Sequence, residues 1–81
     1  MRKLFVGEAR CRALPARYYL LEEDAEDCGA YGVQVELAGE EASVRDLSPS
    51  RQRVLELAEA MARGAVTPAA LRDVVDDWLL E

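Results

Sequence analysis

The stretch A-Y-G-V-Q-V-E-L-A-G-E-E-A-S-V-R-D, residues 30–46, decides how this chain folds. Tyr31, Val33, Val35 and Leu37 fall at every second position, with small or polar residues between them. Successive side chains of an extended strand point to opposite faces, so this alternation predicts a half-buried strand with those four inward. Ala38 to Glu40 supplies a short loop, and E-A-S-V-R-D, residues 41–46, resumes the pattern with Ala42 and Val44 on one face. Two alternating runs joined by a short loop that contains glycine form an antiparallel hairpin.

Upstream, R-Y-Y-L-L-E-E, residues 17–23, and K-L-F-V-G-E-A-R-C-R, residues 3–12, predict two further strands. In the first of the four, Phe5, Gly7, Ala9 and Cys11 fall on one face, and Leu4, Val6, Glu8, Arg10 and Arg12 on the other. That strand begins apolar on both faces and becomes one-sided after Gly7. A-L-P-A, residues 13–16, reads as the turn that follows it, with Pro15 as the breaker. Strands joined this tightly make an antiparallel meander.

Downstream the period changes. Ser48 and Pro49 predict a helix start, the serine as cap and the proline at the first helical position, where its missing N–H costs nothing. Val54, Leu57, Ala58, Met61 and Ala65 then trace one helical face, widened by Leu55 and Ala62, and Gly64 is the expected left-handed residue that ends it. Thr67 and Pro68 repeat the start, and Leu71, Val74, Val75, Trp78 and Leu79 form a second apolar stripe with Trp78 as a core aromatic. The short link forces a helical hairpin, which must bury its stripe on one side of the sheet. The expected fold is α+β, in the order ββββαα: a four-stranded antiparallel meander followed by a C-terminal helical hairpin packed on one sheet face. It is one domain over 1–81, with the sheet over 1–46 and the hairpin over 47–81.

Bulk properties narrow the function. A chain of 81 residues is a single small domain, and at that size folding buries only about 60% of the unfolded surface. Net charge is −6, from 10 basic and 16 acidic side chains, so nucleic acid and anionic membranes are not expected partners. The two helices suggest helix-turn-helix, but the second offers Ala69, Ala70 and Arg72 followed by aspartates where a recognition helix needs basic or amide groups. No apolar run has the length of a signal peptide or membrane span, so a cytoplasmic protein is expected. Cys11 and Cys28 are expected as free thiols, since they fall at opposite ends of the second strand, and about seven residues at about 3.3 Å each exceed the reach of a disulfide.

Catalysis is not expected. The chain has no histidine, and Cys11, Cys28, Ser43, Ser48 and Ser50 lack an evident general base. The G-A-Y-G run at residues 29–32 has no following lysine or helix and is not a phosphate cradle. The densest acidic run is residues 22–27, with Glu22, Glu23, Asp24, Glu26 and Asp27. Set as a calcium loop from Asp24 it puts Cys28 and Val35 at ligand positions, so it reads as a solvated turn. Two cysteines also fall short of a zinc site. No metal and no cofactor is expected.

The segments Y-Y-L-L-E-E, Y-G-V-Q-V-E and V-T-P-A-A-L-R-D-V-V-D-D-W-L, spanning roughly residues 17–80, resemble in order and spacing a family of small Firmicutes proteins of unknown function. The most distinctive match is V-T-P-x-x-L-x-D-V-V-x-D-W, carried here by Val66, Thr67, Pro68, Leu71, Asp73, Val74, Val75, Asp77 and Trp78. The resemblance implies a bacterial cytosolic protein and brings no activity with it. Its repeated aspartates mark Asp77 as a candidate contact, either with a partner or with a backbone group.

The feature that most exceeds an ordinary small domain is Tyr18-Tyr19-Leu20-Leu21, which puts two large apolar residues on each strand face. One helical hairpin covers one face only. The other is then expected to carry Leu4, Val6, Tyr19 and Leu21 without internal cover, a patch suited to association. The bland counterpart is that edge loops or N-terminal residues fold over it, or that the tyrosines show only their hydroxyl ends. The expected function is a non-catalytic protein–protein interaction module, a homodimer through the open sheet face being one outcome and other partners unidentified. The alternative is a small ligand- or ion-responsive regulator using the acidic turn.

Overall fold

The computed structural model describes residues 2–11, 13–23 and 30–80. Strands β1 (Arg2–Cys11), β2 (Leu14–Glu23), β3 (Ala30–Leu37) and β4 (Glu40–Ser48) pair antiparallel in sequence order. Helix α1 (Arg51–Arg63) follows, then a 3₁₀ turn at Pro68–Ala70 that leads into helix α2 (Leu71–Leu79). Both helices pack on one face of the sheet, giving the α+β, ββββαα order that the periodicities predict.

The core forms where the strand and helix periods meet. Ala16, Tyr18 and Leu20 of β2 and Val33 and Val35 of β3 face Val54, Leu57, Ala58 and Met61 of α1, with Leu71 and Val75 of α2 closing one side. Tyr31, Leu37, Ala42 and Val44 line the same face, as expected. Burying each leucine- or valine-sized side chain here contributes about 1.5–3 kcal/mol. The Tyr18 hydroxyl, carried into the core with its ring, donates to the Val66 carbonyl at 2.8 Å.

The β3–β4 loop is tighter than expected. Leu37 pairs with Glu40, so the loop is Ala38-Gly39 alone, and both residues have positive φ, 52° and 83°. That is the type I′ turn whose twist suits a two-residue hairpin. Pro15, expected in a turn, instead lies within β2 opposite Arg10. The β2–β3 ladder begins only at Ala16 and Leu37, so Pro15 sits where β2 has a neighbour on one side alone and a missing N–H is tolerated.

Both caps of α1 shift by a residue or two. Ser48 ends β4 opposite Tyr31, and its Oγ accepts from the Ser50 N–H at 3.1 Å. Ser50 is the cap, accepting from the Arg53 N–H at 3.4 Å, so the helix starts beyond Pro49 rather than on it. At the other end Gly64 has φ −90°, and Ala65, with φ 50°, holds the left-handed position. The Ala65 N–H bonds Ala62 O at 3.3 Å and the Val66 N–H bonds Met61 O at 3.1 Å. This is a Schellman ending built on alanine, one residue later than the glycine suggests.

Trp78 is not enclosed in the core. It is partly buried at the core's margin, and the Arg53 guanidinium lies 5.2 Å from its ring centroid. Cys28 falls outside the described residues, and so does the expectation that it and Cys11 stay unpaired.

Candidate interaction surface on the open sheet face

The site begins with a bulge. Phe5 pairs with Tyr19 and Gly7 with Tyr18, so Val6 is an extra residue in β1 and the faces exchange across it. Before the bulge Leu4 faces the helices; after it Gly7 and Ala9 do, and a Cβ on Gly7 would stand 3.3 Å from Ala62 Cβ. The sequence pattern, apolar on both faces and then one-sided, is the trace of this exchange. It corrects the expected patch. Leu4 and Val6 pack against the helix-covered core and take no part in the open face. Leu21 alternates onto the open side but is 1% exposed, so it offers no contact area. Tyr19 remains there, and Phe5 takes the place expected of Leu4 and Val6.

Phe5 is 59% exposed and meets the Tyr19 ring edge-on, with centroids 5.8 Å apart. Around this pair, three bases each meet an acid. The Lys3 ammonium lies 4.3 Å above the Tyr19 ring and bonds the Glu36 carboxylate two strands away. Gln34 donates to the same Glu36 oxygen at 2.7 Å and reaches Glu41 at 3.4 Å. Arg17 approaches Glu8 at 3.9 Å, and Arg45 approaches Glu23 at 3.3 Å. Hydrogen bonding from Lys3, then from Gln34 and the Tyr19 hydroxyl, holds the Glu36 carboxyl below its ordinary range, against the upward push of burial. The same bond to Glu36 holds Lys3 above its ordinary range.

Strand alternation puts Lys3, Arg10, Arg17 and Arg45 on this face together with Glu8, Glu23, Glu36 and Glu41. Among the described residues the face carries four bases and four acids, in balance on a chain of net charge −6. The aromatic pair is thus set among polar groups most of which engage one another. Among the described residues of this face no nucleophile is paired with a base.

The other expected sites lie apart from it. Asp77 is exposed on α2, in the helix layer, and among the described residues its carboxylate has no ion-pair partner. Of the acidic run, Glu22 is held by Arg2 at 3.7 Å and Arg51 at 3.4 Å, and Glu23 by Arg45. Asp24, Glu26 and Asp27 fall outside the described residues. Among the described residues no cluster of three or more acidic, cysteine or histidine side chains could hold a metal. Two open concavities flank the hairpin end of the sheet. One of about 280 Å³ lies between Arg17 and Glu41, and one of about 560 Å³ lies between Leu14, Leu37 and Pro68. No helix among the described residues is long and apolar enough to cross a membrane.

Lys3, Phe5, Gln34 and Glu36 were not singled out by sequence reasoning. The signal for them was the phase change at Gly7, which carries Phe5 to the face opposite Gly7 and Ala9.

Fold and surface together define a small α+β domain with one helix-covered sheet face and one open face. By sequence the chain belongs to a family of unknown function, DUF6514, whose model matches residues 4–81. No curated protein and no solved structure matches the chain.

Proposed function

We propose that this protein is a non-catalytic interaction module that self-associates through the open sheet face, with Phe5 as the anchor. One observation carries the reading: Phe5 is 59% exposed and meets the Tyr19 ring edge-on, at the β1 side of a face whose described charges are balanced. A copy of a −6 chain approaching by any strongly acidic surface meets like charge, whereas this face presents equal numbers of each sign. Aromatic anchors with neutral surroundings are the residues that dominate contact energies. The reading includes a cytoplasmic bacterial setting, with a Firmicutes origin drawn from the resemblance at Val66 to Trp78 alone. Regulation through the acidic turn has less support, because Glu22 and Glu23 are engaged by arginines.

The test is solution mass against concentration, by sedimentation, for the wild type and Phe5→Ser. The wild type is expected to pass from monomer to dimer as concentration rises, and Phe5→Ser to remain monomeric while folded. A wild type that stays monomeric up to millimolar concentration contradicts the proposal.

A further inference from the structure

β1 is an edge strand. It pairs with β2 alone, its ten residues run the length of the sheet, and no backbone bond described outside the strand ladders reaches it. A strand of this length with a free edge is a template for another strand. The opposite edge is less suited: β4 carries a wide irregularity, with Tyr31 opposite Ser48 but Val33 opposite Val44, and Asp46 at φ 56°.

We infer that the partner is a second copy, joined β1 to β1 antiparallel in the register that sets Lys3 against Glu8 of the second copy and Glu8 against its Lys3. This rests on the reading of the protein as a self-associating module, and places the seam at the β1 edge of the open face rather than across its breadth. The register follows from two constraints. Residues paired across an antiparallel ladder must share a face. Because the bulge exchanges faces, Lys3 and Phe5 of the open face are joined there by Glu8 and Arg10, while Arg2 and Leu4 share the helix side with Gly7 and Ala9. The registers that satisfy this while pairing most of the strand are few. One sets Lys3 against Glu8, Arg2 against Ala9 and Leu4 against Gly7. The next sets Lys3 against Arg10, and like charges directly opposite are destabilising. The Lys3–Glu8 register is the one with complementary charge, and two-fold symmetry makes that pair twice. It also brings Phe5 beside the bulge of the second copy, so the exposed aromatics meet across the seam. The open faces become one continuous surface.

Charge exchange tests it. Glu8→Lys and Lys3→Glu should each weaken self-association by at least about tenfold, since each sets like charges opposite one another twice. An equimolar mixture of the two should recover association to near the wild-type level, as a heterodimer. Should either variant fail to fold, zero-length carbodiimide coupling of the wild type reads the same contact, because Lys3 is the chain's sole lysine side chain. Mixed heavy- and light-isotope protein should yield an intermolecular Lys3–Glu8 link beside the intramolecular Lys3–Glu36 link. A wild type that dimerises, with no rescue in the mixture or no intermolecular Lys3–Glu8 link, overturns this geometry and leaves self-association standing. A wild type that never dimerises removes both.

Discussion

The Tyr18 hydroxyl donates to the carbonyl of Val66 at 2.8 Å, across 48 positions of sequence. Tyr18 belongs to β2 and Val66 to the link between the helices, so this bond fixes the helical hairpin to the sheet. Tyr18→Phe keeps the ring and removes the donor. It should cost about 1 kcal/mol, the net value of a neutral hydrogen bond, and lower Tm by about 4–8 °C in a domain of this size. A thermal melt indistinguishable from the wild type would mean that water replaces the bond without loss.

Gly32 is the position where the sheet tolerates no side chain. A Cβ there would stand 2.2 Å from the Val44 carbonyl oxygen and 2.8 Å from Arg45 Cα, both backbone atoms of β4. The irregularity that folds β4 over β3 at this point therefore depends on glycine. Gly32→Ala should destabilise the domain by about 3 kcal/mol, as overpacking against backbone does. Chemical denaturation measures it, and a loss below about 1 kcal/mol would show that β4 shifts freely.

Ala65 offers the opposite sign. It occupies the left-handed position of the α1 ending at φ 50°, where an L side chain is strained. Ala65→Gly removes that strain at the cost of greater freedom in the unfolded chain. A net gain of about 0.5–1 kcal/mol is expected, read as a higher denaturation midpoint. A loss would mean that the Ala65 methyl contributes more by packing than it strains.

Strand and helix periods name the core, because Tyr18, Leu20, Val33 and Val35 and the face Val54–Met61 need only alternation and turn counting. Caps slip by one or two residues because Ser48 and Ser50 both precede the helix, and Gly64 and Ala65 both follow it. Strict alternation places Leu4 and Val6 on the open face because it has no term for an inserted residue. One bulge at Val6 moves Phe5 into view and both of those residues out of it.

The Lys3–Glu36 pair predicts a pH dependence. Glu36 titrates below its ordinary 4.5 in the folded state, so its contribution is present above about 4.5 and lost as pH falls through the lower folded value. Lys3 titrates above its ordinary 10.5, so its contribution is present below about 10.5 and lost as pH rises through the higher folded value. The pair acts fully between those limits. Glu36→Gln should therefore flatten the acid limb of stability against pH relative to the wild type. Parallel acid limbs would show that the pair is too exposed to matter.

Self-association through the open face, centred on Phe5, is read most directly by a dilution series followed by amide NMR. The resonances of Lys3, Phe5 and Glu8 on β1 and of Tyr19 on β2 should move together with concentration, along one two-state curve, while those of Leu79 and Leu80 on the helix layer stay fixed. Shifts confined to Leu79 and Leu80, or no concentration dependence at all, would contradict the account.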